Sequence, residues 1–256
     1  PVTDIKTITK NSVTFTVPAG ATTGRVLVQS VYGKGESNFV YKDTRNIIFD
    51  FDGSHGGMTQ GNGWRAGVIH SGGIDGSYLY FGGASMLGKV GATWDEDHFA
   101  MNYWPDPAAG YPEISGIPSI TAMLDTCNIA DLVLKFECRV PAGKAWSASA
   151  LQVMLTSNAN VTLATGNNQY CMDPKLPRGL WLPWQATGSF ETGDKWVTVT
   201  MPLTSFTKTS AGQASSSMLT KDHLKGLTLF VWNGGIEGVD CTPELYIDNI
   251  RLVPVK

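Results

Sequence analysis

The feature that most constrains this chain is a series of short apolar runs, repeatedly broken by Gly, Asn, Asp and Pro, with no helical rhythm between them. Ser12–Val17, Arg25–Ser30 and Asn38–Tyr41 come first, separated by turns at Pro18–Gly24 and Tyr32–Gly35. Then follow Ile47–Phe51, Tyr78–Phe81, Leu132–Val140, Ala150–Leu155, Trp196–Leu203, Leu227–Trp232 and Glu244–Leu252. Alternation of polar and apolar residues marks half-buried strands, and strands without intervening helices exclude βαβ winding. With 29 Gly and 13 Pro punctuating 256 residues, the pattern predicts an all-β fold, a sandwich or jelly roll. Only Ser119–Thr126 and Ser217–Leu224 read as a helical turn or two.

The N-terminal runs form a meander of about 42 residues, too small to bury a good core alone. Lys42–Asn46 is a short polar joint without Pro or Gly, and limited hinge freedom is expected of it. The division expected is residues 1–43 as one body and 44–256 as a second. No internal repeat and no apolar run long enough to span a bilayer is present.

Charge excludes some partners. Lys+Arg number 19 against 22 Asp+Glu, so there is no basic face for nucleic acid. The four cysteines, Cys127, Cys138, Cys171 and Cys241, include no C-x-x-C pair, and His is scarce. No zinc site and no cofactor is expected; free buried thiols are the first reading of the cysteines and one disulfide the alternative. Asp50 and Asp52 share a strand face, and with Asp248 they offer a structural cation site that falls short of an expectation.

The tryptophans carry the functional argument. Trp196, Trp146 and Trp232 read as packing residues of strands, and Trp196→Ala is expected to cost several kcal/mol. Trp181 and Trp184 divide evenly between packing and display. Trp64 sits beside Arg65 in the glycine-rich Gly61–Gly67 segment, and Tyr103-Trp104 precedes Pro105-Asp106-Pro107, where a strand must stop. Neighbouring strand residues face opposite ways, so Tyr103 and Trp104 cannot both enter one core. An indole kept in water calls for a partner. The flat C–H face of a β-linked glucose is one, while Asn, Asp and Arg meet its hydroxyls; each ring contributes on the order of 1–2 kcal/mol. The expected platform is Trp64, Tyr103 and Trp104, extended by Trp94, with Arg65, Asn102 and Asp106 as hydroxyl partners. On this reading Trp104→Ala abolishes glycan retention and leaves the melting temperature near wild type.

Taken together, V-P-A-G-A-T-T-G-R-V-L-V with Y-G-K-G-E-S and F-V-Y, the F-D-F-D-G opening, N-Y-W-P and the closing L-Y-I-D-N-I-R-L resemble a surface glycan-binding protein of the Bacteroidetes polysaccharide-utilisation type. The resemblance covers essentially the whole chain. It implies an IPT/TIG immunoglobulin-like spacer, here partial, followed by a β-sandwich carbohydrate-binding domain; the missing first half of the IPT sandwich and the missing lipid-attachment cysteine depart from the family's pattern. It further implies an outward-facing outer-membrane lipoprotein, a monomer, that holds xyloglucan, mixed-linkage glucan or β-1,3-glucan and works beside an outer-membrane transporter complex. In its xyloglucan-binding members the platform includes a Tyr-Trp pair and an earlier Trp, positions that Tyr103-Trp104 and Trp64 would occupy. Two rivals remain. A jelly-roll glycoside hydrolase needs two carboxylates about 5–5.5 Å or 6.5–9.5 Å apart, and the nearest acidic cluster, Asp95-Glu96-Asp97, lacks the E-x-D-x-(x-)E spacing of such enzymes. A protein-binding adhesin module would use the same apolar loops.

Overall fold

The computed structural model describes residues 1–18, 20–53, 58–59, 65–66, 68–82, 99–157, 176–232 and 234–255. Four strands open the chain: β1 (Ile5–Ile8), β2 (Val13–Phe15), β3 (Gly24–Ser30) and β4 (Gly33–Tyr41). They pair as two separate antiparallel hairpins, β1 with β2 and β3 with β4. Their apolar side chains are not gathered into a core. Ile5, Ile8, Val13, Leu27, Val28 and Phe39 are all exposed.

Among the described residues twelve further strands follow: β5 (Ile47–Phe49), β6 (Met58–Thr59), β7 (Arg65–Ala66), β8 (Val68–Ser71), β9 (Ser77–Phe81), β10 (Phe99–Tyr103), β11 (Leu132–Arg139), β12 (Ala150–Thr156), β13 (Arg178–Trp181), β14 (Val197–Pro202), β15 (Gly226–Trp232) and β16 (Leu245–Pro254). One sheet runs β14-β11-β16-β9-β8, with β5 also on β16; the other runs β13-β12-β15-β10-β6, with β7 also on β10. The one α-helix among the described residues, α1 (Pro118–Leu124), begins with Pro118 in its first turn, where a missing N–H costs nothing. Ser217–Leu224 yields only a 3-10 turn at Lys221–His223.

Period-two alternation makes the sandwich. In β11, Leu132, Leu134, Phe136 and Cys138 enter the core; in β15, Leu227, Leu229 and Val231 do; in β12, Leu151, Val153 and Leu155. The two inner faces close on each other as packed sheets do. Cys127, Cys138 and Cys241 are free thiols, and burial raises the Cys138 thiol well above its usual value; Cys171 lies outside the described residues.

A buried ionic cluster joins the N-terminal strands to the sandwich. Arg251 is sealed; its Nη2 donates to Glu137 Oε1 at 2.7 Å, its Nη1 to the Asn249 carbonyl at 2.9 Å, and its Nε lies 3.5 Å from Asp43 Oδ2. Arg45 donates to both Asp43 oxygens at 2.7 and 2.9 Å. Burial works to raise the Asp43 carboxyl, but the Arg45 hydrogen bonds and the two guanidinium charges overcome it and hold the group below its ordinary value. Hydroxyls of Thr23 and Thr198 donate to the two Glu137 oxygens, each at 2.8 Å. Thr23 thereby ties the β3 edge to β11, and Asp43 fixes the polar joint.

Candidate functional site

A sheet in a sandwich has a second face, and in this protein the outer face of the β13-β12-β15-β10 sheet is not an ordinary wet surface. Register lines up its side chains in rungs. Asn102, Thr228, Met154 and Arg178 form one; Phe230, Gln152 and Leu180 form the next; Trp232 pairs with Ala150 beyond it. Thr156 faces Gly226 at the other end, and Trp104, one residue past β10, continues the alternation of Asn102. Leu180 is half-buried; the others are buried yet stand apart from the core cluster between the sheets: Trp104 and Gln152 are 0% exposed and Trp232 9%.

The polar groups on this face hold one another. The Thr228 hydroxyl donates to Asn102 Oδ1 at 2.6 Å. Arg178 Nη1 donates to Gln152 Oε1 and to Met154 Sδ, both at 3.0 Å. Gln152 Nε2 donates to the Ser210 carbonyl at 2.9 Å. That carbonyl belongs to a strap whose Lys208 exchanges backbone bonds with Arg178 at 2.9 and 3.1 Å. The strap is pressed against residues 234–235: a Cβ at Gly212 would lie 2.1 Å from the Gly234 carbonyl oxygen, and one at Gly235 2.1 Å from that of Ala211. Both glycines have φ near +77° (76° and 78°), so any side chain there would carry strain as well as a clash. Aromatic and aliphatic surface with a few convergent polar groups is the make-up of a ligand-binding face.

The structure revises the expected platform. Tyr103 points into the core, 2% exposed, and its hydroxyl donates to the Pro112 carbonyl at 2.8 Å. Burial, with Tyr111 nearby, pushes its phenol up to about 12. Trp104 is on the opposite face, as alternation requires, but it too is sealed, and so is Asn102. The expectation that Tyr103, Trp104 and Asn102 stand in water is therefore corrected: strand β10 is internal to its sheet, and both of its faces are covered. Asp106 is half-buried and exchanges backbone bonds with Tyr111 at 2.7 and 2.9 Å, closing the turn over Pro107–Ala109. Arg65 pairs through its backbone with Phe99 on β10. Trp64 and Trp94 lie outside the described residues.

Sequence reasoning did not single out Gln152, Arg178, Thr228 and Phe230, and it read Trp232 as a packing residue, in keeping with its burial. The signal was present: Thr228, Phe230 and Trp232 recur at every second residue of β15, and Gln152 is a lone amide in an apolar strand. Trp146 and Trp184 are packing residues, donating to the carbonyls of Ala148 and Ser149, and Trp181 packs edge-on against Trp146, Phe136 and Phe190. Trp196 packs against Tyr78 and Tyr246 but is only half-buried, which lowers the cost expected of Trp196→Ala.

Asp248 stands on the outer face of the other sheet, beside the Gly72–Gly76 turn. It accepts the N–H groups of Asn249 at 2.7 Å and Ile74 at 3.0 Å. Burial raises its carboxyl to about 7, against those hydrogen bonds, and the Asp52 charge adds to the rise. Among the described residues no group of three or more His, Cys, Asp or Glu is placed to hold a metal ion.

Residues 41–254 match the family described as surface glycan-binding protein B xyloglucan binding domain. The chain belongs to this family. Residues 41–254 are thus a glycan-binding domain with a β-sandwich fold. Among solved structures, the surface glycan-binding protein PbSGBP-B from Prevotella bryantii is 28% identical, with a TM-score of 0.67 over 98% of this chain and 66% of that one. The chain therefore spans just under two thirds of that relative. An SGBP-B from a complex xyloglucan utilisation locus in Bacteroides uniformis is 17% identical (TM-score 0.45, 98% of this chain and 62% of that one). A family 11 carbohydrate-binding module from Clostridium thermocellum, solved with a β-1,3-1,4-mixed-linked tetrasaccharide, is 15% identical (TM-score 0.43, 82% and 95%). No curated protein sequence matches the chain. No helix among the described residues is long and apolar enough to cross a membrane.

Proposed function

We propose that this chain captures a β-glucan, xyloglucan first and mixed-linkage or β-1,3-glucan as alternatives, on the outer face of the β13-β12-β15-β10 sheet, without catalysis. The observation that carries this reading is the family match across residues 41–254. Trp104, Phe230 and Trp232 supply ring surfaces for pyranose faces, and Arg178, Gln152, Asn102 and Thr228 supply hydroxyl partners. Trp64, Trp94 and Arg65 complete the platform on this reading. The described side chains of that face include no carboxylate, which supports binding over hydrolysis, since cleavage needs a pair of them. The three rings are buried, at 0% for Trp104, 1% for Phe230 and 9% for Trp232.

The proposed setting is the outside of the cell, on an outer-membrane lipoprotein that hands glycan to a transporter complex. Affinity gels containing xyloglucan, barley β-glucan or laminarin test the ligand. The conservative variants Trp232→Phe and Arg178→Lys test the face, because they keep most of the packing volume. Retention by at least one glucan, weakened about tenfold or about 1.4 kcal/mol in either variant, is the expected result. Full retention by both folded variants would move the site elsewhere, and slow release of reducing ends would mark an enzyme.

A further inference from the structure

The opposite face of the molecule carries a second set of rings that the proposed site does not use. On the outer side of the β14-β11-β16-β9-β8 sheet, register sets Tyr246 beside Tyr80 and His70 beside Tyr78, with Arg139 across from Tyr246. Trp196, just before β14, completes the row. The rings form one contiguous surface: Tyr78 lies 4.7 Å from Tyr246 and 5.8 Å from Trp196, Tyr80 5.5 Å from Tyr246, and His70 4.9 Å from Tyr80. The Arg139 guanidinium sits 5.3 Å over the Tyr246 ring. The tyrosines and Trp196 are half-buried and His70 is exposed. The row crosses four strand spacings, about 19 Å.

We propose that these rings form a second glycan-binding surface, an open platform for a neutral pyranose chain lying across the strands. The ring faces offer stacking area, and the edge offers hydroxyl partners already in pairs: Arg139 with Asp194 at 3.0 Å, Lys144 with Glu244 at 3.1 Å, and the Tyr246 hydroxyl on Glu244 at 2.7 Å. These paired charges cancel one another, which suits a neutral polyhydroxyl chain better than a nucleic acid or an acidic peptide. Nearby on the same face, Thr23 of the N-terminal strands touches Glu137, so the platform adjoins that body. The inference rests on the chain being a glycan binder and is independent of which face binds more tightly.

Hydroxyl-radical footprinting with a saturating xyloglucan oligosaccharide tests it directly. Protection of Trp196, Tyr78 and Tyr246 is the expected result, with a second class of sites in calorimetric titration. Tyr80→Ala/Trp196→Ala should remove that class and reduce retention in xyloglucan gels about tenfold, while the variant's melting curve shows it folded. Oligosaccharide binding that leaves these rings unprotected would overturn the second site and leave the proposed function standing. Binding of no glucan by the wild type would remove both. A dimer in sedimentation velocity that Trp196→Ala dissociates would show that a second copy covers the rings, and would equally overturn the proposal.

Discussion

Trp104→Ala separates two accounts of the same indole. Were the ring a wet platform, truncation would remove glycan contacts at no cost to folding. In the structure it is among the largest fully sealed side chains, and emptying a site of that size costs about 3–5 kcal/mol. For a chain of this size each kcal/mol lowers the melting temperature by about 2–4 °C, so the variant should melt about 6–20 °C below wild type. Circular dichroism melts give the shift, and affinity gels run well below the variant's transition then give retention for folded protein. Trp104→Phe, which refills much of the volume, should fall in between. A Trp104→Ala melt within about 2 °C of wild type would refute the burial argument and restore the exposed platform.

Arg251→Met leaves Glu137 buried with hydroxyl partners only, and should cost about 3–5 kcal/mol in urea unfolding, part of which Glu137→Gln in the same chain recovers; no recovery would mean that the loss is steric. Asp248 has a raised native pKa, so between the ordinary carboxylate value and about 7 the folded state binds the extra proton. Stability from this group is full at low pH and is lost as pH rises through 7; wild type should therefore decline over that window by up to about 1.4 kcal/mol per pH unit relative to Asp248→Asn. Parallel stability profiles would contradict the assignment. Trp196→Ala, losing a half-buried ring and its aromatic neighbours, should cost about 1–2 kcal/mol, against about 3–5 for the sealed Trp146→Ala; equal losses would mean that Trp196 is core.

Strand-scale order was legible because alternation is local. Leu132–Val140, Ala150–Leu155 and Leu227–Trp232 each lie within a residue or so of β11, β12 and β15. Strands β8, β10 and β13 were harder to see: they are short, and β13 has Gly179 where a Cβ would strike Phe206 and Met201. The candidate site was less legible for a different reason. Alternation says that Tyr103 and Trp104 part company, but not whether the face opposite the core is wet. That depends on pairings distant in sequence, such as Thr228 with Asn102 and Gln152 with the Ser210 strap. Trp196 shows the converse, since its neighbours Tyr78 and Tyr246 come from strands far along the chain.

Because the ring row and the Arg178–Trp232 face belong to the two opposed sheets, they look away from each other through the thickness of the sandwich. One stiff polymer cannot lie on both without bending around an edge. A molecule so built would behave as a cross-linker: at intermediate ratios of protein to polysaccharide it should knit separate strands into a turbid gel that clears with excess of either component.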